Sequence, residues 1–375
     1  MIWPEIRDDL KIFDGYHSPQ LSVDIRLNTN ESPLPPPEQW IRELQQEIST
    51  IEWNRYPDRQ AEELTSELAD FYNVNPSNVV SANGSNEIIQ SVLLAYGGTL
   101  RSMGIFEPTY ALHSHIGKVT GTKVISAVRD GSFLCAERER EDILRKKPNL
   151  VFLCSPNNPT GVIEPKETIS YFLDACSEIG SVLVVDEAYG EFADWSATEL
   201  VSDDAPMVVS RTFSKAHGFA AGRLGYAIGA KRIIAGMKEV LLPYHLDAFK
   251  QLAGRTALKY RSEMSQRVDY LKSQRDEVFI ELSNLPLKTW QSGANFILFR
   301  PENSIPLTGH QIWEMLVNDS ILVRDCSSWE NLNDCLRAGV AFRREFYRDR
   351  DLEPEDSLMF KVTFSPLGTI TTPAN

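Results

Sequence analysis

Short apolar runs rich in β-branched residues alternate with amphipathic stretches through the middle of this chain. The runs lie at residues 79–81, 102–106, 123–125, 150–154, 182–185, 207–210 and 225–228. Runs of this kind, separated by stretches long enough for a helix, predict a mostly parallel sheet covered by helices on both faces. In such sheets ligands bind at the carboxyl ends of the strands. We therefore expect an α/β fold whose functional residues follow these strands.

Helical periodicity appears on both sides of the predicted sheet. Apolar residues recur three or four positions apart over three stretches, which predicts helices at residues 38–48, 60–71 and 247–285. After the last of these, one helical stretch lies between two strand candidates, at residues 295–299, 311–318 and 321–323. The C-terminal part of the chain therefore predicts a second, smaller α/β unit.

The length of 375 residues is too great for one small core. We expect a large domain over residues 51–246 and a small C-terminal domain over residues 247–375. Residues 1–50 contain the proline-rich segment LNTNESPLPPP and too few apolar positions for a core of their own. We expect this N-terminal segment to pack with the small domain.

Composition excludes several classes of function. A hydrophobic share of 42% and a charged share of 24% are ordinary for a globular enzyme, and a net charge of −14 disfavours binding to nucleic acid. No apolar stretch approaches the roughly twenty residues that span a bilayer, and the N-terminus has no signal pattern. The five cysteines lack CxxC spacing, and the six histidines form no cluster. We expect reduced thiols, a cytoplasmic location and no metal.

Lys215 is the most informative residue for function. It ends the segment Ser-Arg-Thr-Phe-Ser-Lys, which directly follows the apolar run at 206–209. An amine that forms a Schiff base with an aldehyde cofactor must be fixed on a rigid element and partly desolvated, and this position meets both needs. A surface lysine after a strand is the alternative, and the neighbouring motifs argue against it.

Polar residues also end two upstream strand candidates. Asp186 follows four apolar residues, where a carboxylate needs a cation or a donor, and a protonated pyridine nitrogen would meet that need. Asn158 precedes Pro159 and is therefore held extended, so its amide can point into a cleft. A salt bridge and a plain turn are the respective alternatives. Tyr189, three residues after Asp186, can bind the phenolic oxygen of the same cofactor together with Asn158.

A phosphate group needs backbone N–H groups at a helix start, hydroxyls and a cation. The segment SANGSNE precedes an apolar helix, so Ser85 and Asn86 can present amides at its N-terminus, although ordinary capping also explains them. The lysine loop adds two hydroxyls and a guanidinium, from Thr212, Ser214 and Arg223. Tyr110 follows a strand and is placed to stack on a ring, with core packing as the alternative.

Two arginines end short apolar runs in the smaller unit. Arg324 and Arg337 can each reach across a cleft to a substrate anion in a bidentate contact, or pair with a nearby acid. Together with the lysine, aspartate and asparagine, they predict an enzyme whose cofactor has an aldehyde, a pyridine nitrogen and a phosphate.

These motifs together resemble the fold type I pyridoxal-phosphate enzymes, and within them the histidinol-phosphate aminotransferase family. The match includes, in chain order, LNTNESP, RYPD, ANGSNE, FEPTY, SPNNPTG, VVDEAY, RTFSKAHGFAAGRLGY, ANFILF, ILVRD and CLR at Arg337. It covers most of the chain. After Arg337 the sequence departs from the family, because the segment is charged and then proline- and threonine-rich without a helical period.

The resemblance implies a role for each motif. Lys215 carries pyridoxal 5'-phosphate and shuttles a proton, Asp186 pairs with the pyridine nitrogen, and Tyr110 stacks on the ring. Asn158 and Tyr189 bind the phenolic oxygen. The implied phosphate ligands are Ser85, Asn86, Thr212, Ser214 and Arg223. Tyr56 reaches the phosphate from a second subunit, which implies a homodimer. The implied substrate contacts are Arg324, Arg337, Tyr16 and Asn30.

The reaction implied is amino transfer between L-histidinol phosphate and 2-oxoglutarate in histidine biosynthesis. The partners expected are therefore a small amino donor and a 2-oxo acid, with neither nucleic acid nor membrane. Three alternatives remain open at this point. They are an aromatic amino-acid aminotransferase, a decarboxylase acting on a phosphorylated amino acid, and a non-catalytic ligand sensor on the same fold.

Overall fold

The computed structural model describes residues 3–11 and 20–340, and two short strands nearer the C-terminus. Its α-helices are α1 (Glu38–Glu47), α2 (Glu62–Tyr72), α3 (Ser85–Tyr96), α4 (Ala111–Val119), α5 (Glu137–Arg145), α6 (Lys166–Ile179), α7 (Lys231–Val240), α8 (Ala248–Lys259), α9 (Arg261–Ser283) and α10 (Gly309–Asn318). Short 3-10 helices lie at Asp8–Leu10, Ile48–Thr50, Pro76–Asn78, Gly190–Phe192 and Ala197–Leu200.

The strands begin with β1 (Ile25–Arg26) in the N-terminal segment. The central region contributes β2 (Val79–Ala82), β3 (Ser102–Glu107), β4 (Lys123–Val128), β5 (Leu150–Cys154), β6 (Val182–Asp186), β7 (Met207–Thr212) and β8 (Gly225–Gly229). The C-terminal region contributes β9 (Leu287–Thr289), β10 (Phe296–Pro301), β11 (Ile321–Leu322), β12 (Arg324–Asp325), β13 (Leu336–Gly339), β14 (Thr363–Phe364) and β15 (Ile370–Thr371).

A seven-stranded sheet in the order β2-β8-β7-β6-β5-β3-β4 forms the centre of the molecule. Strand β8 is antiparallel to both its neighbours, and the remaining neighbours are parallel to each other. Alternate residues of β6 pack into different cores, with Val184 on the α3 and α7 face and Val185 on the α6 face. The expected α/β fold, mostly parallel and covered on both faces, is confirmed.

The register of this sheet brings the candidate residues to one edge. Asp186 at the end of β6 pairs with Cys154 of β5 on one side and with Ser210 of β7 on the other. The carboxyl ends of parallel strands meet at the same edge, so the loops after these strands share one cleft.

The smaller unit is built on a four-stranded antiparallel sheet in the order β12-β13-β10-β9, packed against α9 and α10. The N-terminal segment is divided between the two units. Strand β1 pairs with β11, and Leu27 joins the small core, whereas Trp40 of α1 packs into a core with α2 and α8. The division at residues 50 and 246 stays a proposal.

The helix predicted over 247–285 is two helices, α8 and α9, which meet at Tyr260. Helix α8 packs on α1 and α2, while α9 packs on the smaller unit, so the chain changes direction between two cores. No described helix combines the length and the hydropathy needed to cross a membrane.

Candidate active site

A cleft of about 760 Å³, including the solvent space at its mouth, lies at the carboxyl ends of the central strands. Its walls come from the sheet edge, the N-terminal segment and the smaller unit. Most of the residues singled out from sequence line it: Asn30, Ser85, Asn86, Tyr110, Asn158, Asp186, Tyr189, Thr212, Ser214, Lys215, Arg223 and Arg337.

Lys215 stands three residues beyond the end of β7. Its Nζ donates to the carbonyl of Thr29, 2.9 Å away, and lies 5.7 Å from the centre of the Tyr189 ring. Burial, assisted by the positive charge of Arg337, lowers the pKa of this amine from its ordinary value to about 7. A substantial fraction of the amine is therefore neutral at neutral pH and able to attack an aldehyde.

Asp186 is fully buried at the base of the cleft. One carboxylate oxygen accepts from the backbone N–H of Ala188 at 3.2 Å, and the other lies 2.9 Å from Nε2 of His113. This contact was not predicted from sequence, where the histidines were considered only as possible metal ligands. A signal was present, because His113 follows Tyr110 by three residues at the start of α4, which places both on one side of the helix.

The N-terminus of α3 and the lysine loop form a cradle with the kinds of donor that a phosphate needs. Helix α3 begins at Ser85, and Gly84 before it has a φ of +79°. Oγ1 of Thr212 donates to Oγ of Ser214 at 3.0 Å, and Nη1 of Arg223 donates to the same Ser214 oxygen at 3.2 Å. A Cβ on Gly84 would lie 2.8 Å from Nη2 of Arg223, so an added side chain would push this guanidinium out of its present position.

Tyr110 links this cradle to the base of the cleft. Its hydroxyl donates to Oδ1 of Asn86 at 3.2 Å, and its ring makes an edge-on contact with His113. The ring is therefore fixed between the phosphate cradle and the aspartate, where a planar ligand would lie.

The opposite wall of the cleft consists of residues joined by hydrogen bonds around Arg337. Its guanidinium donates to Oδ1 of Asn158 and to the carbonyl of Asn28, the latter at 2.7 Å. Nδ2 of Asn30 donates to the hydroxyl of Tyr189 at 3.0 Å, and burial raises the pKa of that hydroxyl to about 12. Strand β13 holds Arg337 between β10 and β12.

Two of the residues singled out do not line this cleft, and a third is not described. Tyr56 is 81% exposed and stacks on Tyr244. Arg324 is the cross-strand partner of Arg337, and its guanidinium lies 5.6 Å from the ring centre of Trp329. Tyr16 lies outside the described residues.

Several lining residues were missed from sequence: Asn28, Thr29, Cys154, Ala188 and Trp329. Four of them adjoin or closely precede a residue that was identified, so the motifs themselves contained the signal. Trp329 lies in the irregular segment between β12 and β13, where no periodicity indicates which way a side chain points.

Three groups in the cleft each suit a different part of one ligand. The amine calls for an aldehyde, the buried carboxylate for a basic ring nitrogen, and the helix N-terminus for a phosphate. Pyridoxal phosphate has all three groups, so fold and cleft together define a pyridoxal-phosphate-dependent enzyme of fold type I.

Comparison with known proteins narrows this class. Residues 22–345 match the family model for aminotransferase class I and II. A histidinol-phosphate aminotransferase from Mycobacterium sp. (strain JLS) is 40% identical over 331 residues, covering 85% of this chain and 86% of the relative. The histidinol-phosphate aminotransferase from Nocardia farcinica is 39% identical over 97% of this chain and 95% of its own. The chain belongs to the histidinol-phosphate aminotransferase family of the class I and II aminotransferases.

A solved structure agrees with the fold. The histidinol-phosphate aminotransferase from Sinorhizobium meliloti, in complex with pyridoxal-5'-phosphate, superposes with a TM-score of 0.77 at 21% identity, covering 87% of this chain and 88% of that one. At this identity the likeness concerns the fold alone. The alignment with the Nocardia relative covers most of the segment after Arg337 as well.

Proposed function

We propose that this enzyme transfers an amino group between L-histidinol phosphate and 2-oxoglutarate, giving imidazole acetol phosphate and L-glutamate, in histidine biosynthesis. The observation that carries the proposal is the Lys215 amine, with a pKa of about 7, inside a cleft whose other groups suit pyridoxal phosphate. The substrate follows from the curated relatives, which are named histidinol-phosphate aminotransferases and cover most of the chain.

The donor set of the cleft fits the cofactor. Asp186 would accept a hydrogen bond from the N–H of the cofactor ring. His113 and the N–H of Ala188 already fix the orientation of its carboxylate. The phosphate would be held by the amides of Ser85 and Asn86 at the start of α3. Its further ligands would be Thr212, Ser214 and Arg223. Gly225 supports this fit, because a Cβ there would lie 2.5 Å from the backbone nitrogen of Ser85 and push the cradle apart.

Proton transfer is the task of Lys215. When bound, pyridoxal phosphate supplies an electron-poor ring that accepts the electron pair left on the substrate carbon. Nζ of Lys215 then serves as general base and general acid for the proton at that carbon. A group with a pKa near the working pH is effective in both directions. The Tyr189 hydroxyl, bound by Asn30, and the Asn158 amide would hold the phenolic oxygen.

Arg337 is our candidate for the anionic end of the substrate. It is buried, its donors meet only neutral acceptors on Asn158 and Asn28, and no described carboxylate lies within ion-pair distance. Its Nε has no hydrogen-bond partner among the described residues. A buried guanidinium without an acid favours a phosphate or carboxylate ligand over a structural ion pair. Asn30 lies in the same wall, whereas Arg324, the cross-strand partner of Arg337, does not line the cleft and is assigned only a supporting role.

Initial rates with different amino donors test this function. With 2-oxoglutarate as acceptor, L-histidinol phosphate should give a far higher kcat/KM than L-phenylalanine. Carbon dioxide release from an O-phosphorylated amino acid should be negligible. Faster turnover of phenylalanine would identify an aromatic amino-acid aminotransferase instead, and release of carbon dioxide without a keto acid would identify a decarboxylase.

We further propose that the enzyme is a homodimer in which Tyr56 binds the phosphate in the partner's cleft. The support is the exposure of this tyrosine outside its own cleft and the large apolar side chains exposed near it in sequence and space, Trp53, Leu242 and Tyr244. Exposed apolar side chains grouped in this way are typical of an interface.

Co-expression of two inactive variants tests the shared site. A dimer with one Lys215→Ala subunit and one Tyr56→Ala subunit has one doubly altered cleft and one intact cleft. Random pairing should restore about a quarter of the activity. No restoration in verified mixed dimers would place Tyr56 in its own subunit's site.

We also propose a cytoplasmic location for the enzyme. Its five cysteines are all buried and free, which suits a reducing compartment.

A further inference from the structure

Asn295 directly precedes β10 and is fully buried, but it does not line the cleft. Its Nδ2 donates to the backbone carbonyl of Asn30 at 3.1 Å, joining residues 265 positions apart. Its own carbonyl accepts from the backbone N–H of Val340 at 2.9 Å, directly after β13. The smaller unit therefore holds this asparagine in place and, through it, the backbone of the N-terminal segment.

Asn30 is the residue that this contact fixes. It is buried and has a φ of +55°, in the left-handed region that an L residue adopts at a cost and keeps only where its surroundings hold it. Its Nδ2 donates to the hydroxyl of Tyr189 at 3.0 Å, and its Oδ1 has no hydrogen-bond partner among the described residues. The orientation of this side chain therefore depends on how its backbone is held.

The whole segment 27–30 is bound to the smaller unit through its backbone. Three of its carbonyls accept hydrogen bonds from that unit, those of Leu27, Asn28 and Asn30, and the respective donors are Gly339, Arg337 and Asn295. Strand β13 also approaches closely, since a Cβ on Gly339 would lie 3.6 Å from Cα of Asn30. At Asn30 these contacts with the smaller unit meet a tyrosine of the cleft.

Tyr189 is held at both its ring and its hydroxyl. Phe296, directly after Asn295, packs edge-on against the ring, with the two ring centres 5.0 Å apart. The hydroxyl oxygen accepts from Asn30, so the hydroxyl hydrogen is left for another acceptor. Burial raises the pKa of this hydroxyl to about 12, so the hydrogen is retained at neutral pH. The phenolic oxygen of the cofactor is the acceptor proposed above.

We propose that Asn295 is a positioning residue for Tyr189, because it holds Asn30 where the Asn30 amide donates to the Tyr189 hydroxyl. The hydrogen of that hydroxyl then faces the cofactor's phenolic oxygen. This inference rests on the proposed contact between Tyr189 and that oxygen. Without the hold, the Asn30 side chain can turn, and its Oδ1 becomes an acceptor that competes for the same hydrogen. The smaller unit thus affects the cofactor through a residue outside the cleft.

The pH dependence of the holoenzyme's absorbance tests this role. A donor at the phenolic oxygen stabilises its negative charge, so the nearby nitrogen that joins the cofactor to Lys215 holds its proton less tightly. Loss of the donor should therefore raise the pKa of that nitrogen. The Tyr189→Phe variant sets the scale, and its absorbance midpoint should lie about 1 pH unit above that of the wild type.

Asn295→Leu keeps the size of the side chain and removes the donor, and it should raise the midpoint by about half a pH unit. Asn295→Ser, whose shorter side chain leaves the carbonyl without this donor, should do the same and serves if the leucine variant does not fold. Asn78→Leu is the matched control, because Asn78 is also buried and donates through Nδ2 to a backbone carbonyl, that of Gly229 at 2.9 Å, away from the cleft. A wild-type midpoint in both Asn295 variants, or an equal rise in the control, contradicts the assignment.

A double-mutant cycle shows whether Asn295 acts through Asn30. Asn30→Ala removes the donor to Tyr189 directly, so Asn295→Leu should add no further rise in that background. Full additivity of the two rises would show another route and overturn the proposal. A wild-type midpoint in Tyr189→Phe would overturn the proposed contact with the phenolic oxygen as well. A rise in Tyr189→Phe without one in the Asn295 variants would reject the role of Asn295 alone.

Discussion

Nε2 of His113 lies 2.9 Å from Oδ2 of Asp186, and both side chains are buried at the base of the cleft. The carboxylate proposed to face the cofactor's ring nitrogen is therefore oriented by an imidazole on a different element, α4. His113 does not line the cleft, so we treat it as a positioning residue for Asp186.

Replacing His113 should impair catalysis through Asp186. We expect His113→Phe to lower kcat by about 10- to 100-fold, because a hydrogen bond to a charged group is lost while the site stays filled. His113→Gln retains an N–H donor and should recover part of the rate. The absorbance of the bound cofactor should shift in the Phe variant and not in His115→Phe, which changes a residue that does not line the cleft. Equal rates for Phe and Gln would argue against positioning.

Uptake of the cofactor should depend on pH with a midpoint near 7. Only the neutral amine attacks an aldehyde, and the Lys215 amine is protonated below its pKa of about 7 and neutral above it. The initial rate at which the apoenzyme takes up pyridoxal phosphate should therefore rise from pH 5 to pH 8 and then level off. The Lys215→Arg variant keeps a cation but should form no covalent bond with pyridoxal phosphate. A midpoint near 10, the ordinary range of lysine, would contradict the assigned environment.

Gly84→Ala should weaken cofactor binding. The added Cβ would meet the Arg223 guanidinium at 2.8 Å, in a backbone conformation that L side chains rarely adopt. Gly98→Ala is the matched control, because its φ is +118° but nothing lies within 4 Å of the added atom. Both variants should lose about 1 kcal/mol of stability from backbone strain. Only Gly84→Ala should raise the Kd for pyridoxal phosphate, and equal Kd values would show that the clash is unimportant.

Arg337→Gln should raise the KM for histidinol phosphate by about 10- to 100-fold, which corresponds to losing a charge-assisted hydrogen bond to an anion. Arg324→Gln should have a smaller effect, because that guanidinium packs over Trp329 and does not line the cleft. Steady-state kinetics with both substrates checks this order. The reverse order would give Arg324 the principal contact with the substrate.

Arg211, the residue before Thr212 of the cleft, should contribute to the stability of the fold. It is buried between Glu187 and Glu191, at 2.9 and 3.1 Å. Arg211→Met leaves two buried carboxylates without their cation, and we expect a loss of about 3 to 5 kcal/mol in the free energy of unfolding. Urea denaturation measures it. Arg42→Met, which removes an exposed i,i+4 ion pair, should leave the unfolding midpoint unchanged within error.

The central sheet was predictable because its strands are buried on both faces and therefore read as continuous apolar runs. Residues 150–154 and 182–185 are examples, and the structure extends the second by only one residue, to Asp186. The contents of the cleft followed from the same pattern, since strand ends mark where polar side chains converge.

Other features depended on long-range packing that periodicity does not report. The break at Tyr260 separates two helices that pack into different cores, yet apolar residues recur three or four positions apart on both sides of it. Arg324 and Arg337 look equivalent in sequence, and only the pairing of β12 with β13 separates their surroundings. The contact between His113 and Asp186 joins residues 73 positions apart.

One apolar cluster unites Tyr189, which lines the cleft, and Ala216, which follows Lys215, with Val268 of α9 and Phe296 of β10. Engineers who exchange the C-terminal part of this enzyme for that of a relative at residue 246 would cut through this shared packing. Such chimaeras should be designed with the cluster transplanted whole, since a mismatch at Phe296 would disturb the ring of Tyr189, which lies beside the Lys215 amine.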